Sequence, residues 1–178
     1  KMARFSQKMV TQIDALTEIA NEFSSFAKMP STSLSKTDLK TVVEDAVGTF
    51  NNEIKLVFDA NTITSALIKA DEHQLIRVFN NLFKNSAQSI PEDRIGVIQV
   101  YLNQDEDNYL IEVKDNGKGI DPSQYENIFT PNFTTKSSGS GLGLAIVKNI
   151  IKNHTGKISF ESKVGVGTSF FLQFPKYK

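Results

Sequence analysis

Asn81 and Asn85 stand four residues apart in a run whose apolar positions repeat at helical spacing. One helical turn separates them, so the two amides share a face. On a helix that otherwise reads as buried, an unpaired amide costs roughly 1–3 kcal/mol. An oxygen-seeking cation carrying phosphates would satisfy both; so would neighbouring backbone. Seven of the ten glycines fall in three short loops: Gly117 and Gly119, then Gly139, Gly141 and Gly143, then Gly165 and Gly167. Such clustering suggests backbone brought close to one ligand. Gly139-Ser-Gly-Leu-Gly-Leu144 ends a loop and opens a helix, so its free N–H groups and the helix dipole would face an anion such as a phosphate. Asp115-Asn-Gly-Lys-Gly119 closes a strand. Its carboxylate could accept from an exocyclic amine while the glycines let a flat ring lie against backbone. A local turn bond from Asp115 is the plainer reading.

These groups need elements to hold them. Thr37 is the expected N-cap of a helix reaching about Phe50, and Ile54, Leu56 and Phe58 alternate as a strand does. A short strand is expected over 67–70. Asp71 then caps an apolar helix through Leu75, Ile76, Phe79, Leu82 and Phe83, which ends at Pro91. Residues 97–102 and 109–114 form a hairpin, 142–153 a helix closed by Gly156, and 157–162 and 168–174 two last strands. Strands largely in hairpins, with helices collected on one face, make an α+β two-layer sandwich. Ahead of it, Met9, Ile13, Leu16, Ala20, Phe23 and Ala27 recur at spacings of four and three, and Phe5, Ile19 and Phe26 widen that stripe. The domain expectation is therefore an incomplete bundle helix over 1–30, a linker over 31–36 and a catalytic domain over 37–178.

Composition narrows the options. Lysines and arginines number 20, as do aspartates and glutamates, in a chain of 178 residues, which supplies no electrostatic reason for a nucleic acid or anionic membrane partner. With no cysteine there are no disulfides and no thiolate zinc sites. No apolar stretch approaches the roughly 18 residues that span a bilayer.

In this order, Asn81-Leu-Phe-Lys-Asn85, Asp115-x-Gly-x-Gly119, Phe129 with Phe133, Gly139-x-Gly-x-Gly143 and Gly165-x-Gly-Thr168 resemble the asparagine, phenylalanine and glycine boxes of the GHKL ATPase superfamily, and among its members most resemble sensor histidine kinases. The resemblance covers residues 37–175. It implies a Bergerat-type ATP-binding fold with ATP and Mg²⁺ as ligands. Asn85 would ligate Mg²⁺, with Asn81 and Lys84 beside the phosphates. Asp115 would read the adenine amino group, with Thr168 supporting it through water. Gly117, Gly119 and Ile120 would border the base, while Gly139, Gly141, Leu142, Gly143 and Leu144 would border the phosphates. Phe129 and Phe133 would anchor a mobile loop between residues 120 and 139, and Lys136 would reach the terminal phosphate. Many members place an arginine one residue before Lys136, and Gln88 and Ser89 stand where many histidine kinases have Lys and Tyr. Residues 14–30 resemble the second stalk helix of nitrogen-regulation kinases of the NtrY and NtrB type.

Related hydrolases and anti-sigma serine kinases carry a glutamate base where this chain has Asn81, an amide without a basic lone pair. Asn81 thus favours attack by an imidazole, which brings its own nucleophilic nitrogen. The expected activity is a protein-histidine kinase of a two-component system. Its phosphoacceptor is expected upstream of Lys1, leaving His73 and His154 to surface or packing roles. The expected partners are a response regulator receiver domain and a second copy of the chain through the stalk. Nucleic acid and direct membrane contact are not expected. The location would be the cytoplasmic portion of a sensor that could sit in an inner membrane.

Overall fold

The computed structural model describes residues 31–50, 54–134 and 140–178, together with Ile13, Thr17 and Ser24. Those three isolated positions are helical; the rest of the expected bundle helix lies outside the described residues. Strand β1, Ser35–Asp38, pairs antiparallel with β3, Leu67–Ala70. Ser35 and Lys36 therefore belong to a strand, not to the expected linker. Helix α1, Leu39–Thr49, is capped by Asp38, not Thr37. Asp38 Oδ1 accepts from Lys40 N at 3.0 Å and Ala66 N at 2.9 Å while Oδ2 accepts from Ser65 Oγ at 2.6 Å, three donors where a hydroxyl oxygen has only two lone pairs. The Thr37 hydroxyl is spent instead across the small ribbon, donating to the Ala70 carbonyl at 3.1 Å.

Five strands form the main sheet: β2, Lys55–Asp59; β4, Val97–Gln104; β5, Asn108–Asp115; β6, Lys157–Lys163; and β7, Gly167–Pro175. Their order is β2-β4-β5-β7-β6, with β2 parallel to β4 and the other pairs antiparallel. Between β2 and β4 the chain runs through β3 and helix α2, Glu72–Ser89, the long crossover that a parallel neighbour requires.

Alternation drives the layering. Ile98, Val100 and Leu102, Ile111 and Val113, and Phe170, Leu172 and Phe174 point to one buried face. Onto it pack α2 and α3, Gly143–Asn153. Leu75, Val78, Phe79, Leu82 and Phe83 form the buried stripe of α2, and Ile146, Val147, Ile150 and Ile151 that of α3. Phe79 and Phe83 are fully buried with ring centroids 6.2 Å apart; removing either side chain would cost about 3–5 kcal/mol.

Asp71 caps α2 through Gln74 N at 3.1 Å, as expected. At the end of α3 the left-handed residue is Thr155 (φ 54°) and not Gly156. Gly156 is small for another reason: a side-chain carbon there would lie 2.7 Å from the Gln173 carbonyl oxygen.

Candidate functional site

Strand register places three polar side chains in one row on the buried face. Asp115 pairs with Thr168, and Thr168 with Ser162. Asp115 Oδ1 accepts from Gly117 N at 2.8 Å, Thr168 N at 3.2 Å and Ser89 Oγ at 3.3 Å. Ser162 Oγ lies 2.9 Å from Thr168 Oγ1 and accepts from Ile120 N at 2.8 Å. Burial pushes the Asp115 carboxyl above the usual carboxylate range; the Gly117 amide, Ser86, the Thr168 amide and Ser89 offset this only in part. The Ser86 hydroxyl leans toward the carboxylate without reaching hydrogen-bond geometry.

A cavity of about 440 Å³ opens over this row. Helix α2 contributes Asn81, Lys84 and Asn85, the loop after β5 contributes Gly119 and Ile120, and the start of α3 contributes Gly143 and Leu144. Phe133, Gly141, Asp115 and Thr168 complete the expected residues that line it. Gly117, Phe129 and Leu142 do not line it, and Lys136 and Gly139 lie outside the described residues. Phe129 packs instead against Phe160 and Phe170, at centroid distances of 6.0 and 6.5 Å, with Lys148 Nζ 5.3 Å from its ring centre. It anchors the loop from behind. Leu142 is buried as the N-cap residue of α3, and Gly117 leaves room for the carboxylate: a side-chain carbon there would strike Ser89 Oγ.

The two asparagines and the second glycine loop meet. A side-chain carbon on Gly143 would lie 3.1 Å from Asn81 Oδ1 and 3.7 Å from Asn85 Nδ2. Asn81 Nδ2 donates back to the Arg77 carbonyl at 2.8 Å, which turns its oxygen toward α3. The first turn of α3 has neither an acidic residue nor a side-chain cap, so its N–H groups suit an anion. Among the described residues no three His, Cys, Asp or Glu side chains are grouped to hold a metal ion. The donors here suit a hard cation that arrives with phosphate oxygens of its own.

The loop after β5 is held on three sides. Lys118 N donates to Ser89 O at 2.9 Å, and Gly165 N donates to Lys118 O at 2.8 Å. Arg94 donates to the carbonyls of Asn116 and Gly117 through Nη1 and to that of Gly165, at 3.1 Å, through Nη2. Gly119 has φ +74°, and a side-chain carbon there would meet Lys163 O at 2.4 Å, so only glycine fits.

Sequence reasoning missed Ser86, Lys118, Asp121, Gln124, Ile128, Ser140, Val164 and Phe170 in the lining. Ser89, noted only as a departure from kinase pattern, bonds Asp115; its position one turn beyond Asn85 was a usable signal. Ser162 had none, because its role comes from cross-strand pairing. His73 is exposed on the first turn of α2, and His154 is buried.

Residues 70–178 match the family described as histidine kinase-, DNA gyrase B-, and HSP90-like ATPase. Over 177 residues the chain is 37% identical to sensor histidine kinase ZraS of Escherichia coli (strain K12), covering 97% of this chain and 37% of that protein. It is 29% identical over 173 residues to an NtrY-like sensor histidine kinase of Rickettsia prowazekii (strain Madrid E), covering 96% and 29%. The catalytic domain of histidine kinase ThkA superposes with a TM-score of 0.71 at 27% identity, over 81% of this chain and 96% of that one. The chain thus spans well under half the length of the curated relatives it matches. Among the described residues no helix is long and apolar enough to cross a membrane. Through residues 70–178, more than half of its length, this chain belongs to the histidine kinase-, DNA gyrase B- and HSP90-like ATPase family.

Proposed function

We propose that the chain is the ATP-binding catalytic part of a sensor histidine kinase, with residues 1–30 as the second helix of its dimerisation stalk and 37–178 as the catalytic domain. ATP lies with its base over Asp115 and Thr168 and its phosphates between Asn81, Asn85 and the start of α3. Asn85 holds Mg²⁺ together with the phosphate oxygens; the ion neutralises charge on the phosphates when bound. Lys84 and Lys136 add positive charge at the phosphate end, and the loop between residues 120 and 139 closes over the nucleotide, hinged on Phe129 and Phe133.

The observation that carries this reading is Asn81 facing Gly143 at the α3 terminus. A hydrolase needs a base there to activate water; an amide cannot take the proton. An imidazole from the stalk attacks phosphorus with its own lone pair, so the N–P bond forms as the bond to the ADP oxygen breaks. A response regulator aspartate is the next acceptor, a second copy of the chain pairs through the stalk, and the domain works on the cytoplasmic side of its sensor.

Labelled ATP tests this. The chain alone should bind ATP, hydrolyse it slowly and gain no acid-labile phosphate, and a stalk fragment extending upstream of Lys1 should be labelled on histidine. Rapid hydrolysis by the chain would move it to the hydrolase branch, and label on His73 or His154 would overturn the assignment of the acceptor.

A further inference from the structure

Ser86 is 1% exposed on α2, yet it borders the cavity. Its Oγ is the one buried side-chain oxygen or nitrogen among the described residues with no hydrogen-bond partner. A serine inside a helix ordinarily returns its hydroxyl to a backbone carbonyl of the preceding turn, as Ser89 does to Ser86 O at 2.8 Å while sharing the same proton with Asp115 Oδ1 at 3.3 Å. Ser86 does not. A buried hydroxyl left unpaired destabilises the empty fold, and an alanine would occupy the same space without that cost.

The neighbouring carboxylate shows what the hydroxyl is for. The three donors bonded to Asp115, Gly117 N, Thr168 N and Ser89 Oγ, all converge on Oδ1, and the Ser86 hydroxyl leans toward the same carboxylate without completing a bond. Oδ2 is left for a ligand donor. A carboxylate oxygen beside a hydroxyl presents an acceptor next to a donor. Adenine offers the matching pair, an exocyclic amine beside a ring nitrogen that accepts. Guanine offers the reverse, an oxygen acceptor beside an N–H.

We propose that Ser86 is a base-selecting residue, its hydroxyl donating to the ring nitrogen next to the adenine amine, directly or through one bridging water. The inference rests on the ATP reading and extends it to how the base is chosen. The unpaired hydroxyl is then a group held ready for the nucleotide.

The test uses the full chain and its Ser86→Ala variant. Without nucleotide, the thermal midpoint of the variant should equal or exceed that of the parent. Its affinity for ATP should fall about tenfold, the value of one buried hydrogen bond. An ATP analogue with carbon replacing that ring nitrogen should bind parent and variant alike. A lowered midpoint in the variant would give the hydroxyl a structural partner and overturn the proposal. So would equal ATP affinity, or an equal loss for ATP and the analogue. Failure of the parent to bind ATP at all would overturn the nucleotide reading itself.

Discussion

His154 Nε2 accepts the backbone N–H of Asp71 at 2.9 Å, while Nδ1 lies 2.7 Å from the Ile150 carbonyl oxygen. Because Nε2 accepts, the proton sits on Nδ1 and is donated to Ile150, so both nitrogens of a neutral ring are spent. The imidazole ties the end of α3 to the cap of α2, and Asp71 Oδ2 in turn accepts from Ser33 N at 3.0 Å. His154→Ala should therefore cost about 1–3 kcal/mol in urea unfolding, through a cavity and an orphaned N–H. His154→Gln, whose amide oxygen can take the Asp71 N–H, should recover part of it. A fully stable alanine variant would show that the ring only fills space.

Arg94 has a positioning role. Its guanidinium bonds three carbonyls from two loops, and its planar fork fits where a point charge would not. Arg94→Ala is expected to weaken ATP binding about tenfold and to cost about 1–2 kcal/mol of stability. Arg94→Lys should restore stability better than affinity, measured by calorimetry beside thermal unfolding. Equal recovery of both would make the charge, not the fork, the cause.

Asp115 links stability to pH. Burial raises its carboxyl in the folded state, so well above that raised value the ionised group opposes folding. As pH falls toward the ordinary carboxylate range the folded form takes up the proton first, and the penalty is lost. Asp115→Asn should raise the unfolding midpoint of the empty protein at neutral pH, with a gain that shrinks on acidification. The same variant should lose the preference for ATP over GTP. A gain independent of pH would remove ionisation as its cause.

Asn85→Ala should abolish the Mg²⁺-dependent part of ATP binding while leaving the fold intact, since alanine suits a half-exposed helix position. Calorimetry with ATP plus Mg²⁺ against ATP plus EDTA reads the difference. A variant that still gains affinity from Mg²⁺ would free Asn85 of the metal role.

The elements were legible where one period dominated. The stripe from Leu75 to Phe83 and the alternation of β4 and β5 each specify their element and its buried face. The site was legible where chemistry required a residue type, as at Gly119 or Asn81. What escaped was settled by long-range pairing. Asp38 displaces Thr37 as cap because Ser65 and Ala66 also need its oxygens. Ser35 joins a strand because β3 lies opposite. Ser162 enters the site only through its place beside Thr168. Phe129 stays out of the cavity because Phe160 and Phe170 hold its ring.

The row Asp115, Thr168 and Ser162 spans three paired strands, whereas Asn81, Asn85 and Gly143 sit on two helices. A sheet row cannot drift by small steps, because a slip of one residue turns every side chain to the other face. Of the helical residues, only Gly143 stands at a helix end fed by a loop, where no such register applies. The sheet side of the cavity is therefore its fixed side. On the proposed ATP reading, the base would meet a surface set before it arrives, and any adjustment to the length of the phosphate tail would fall to the start of α3.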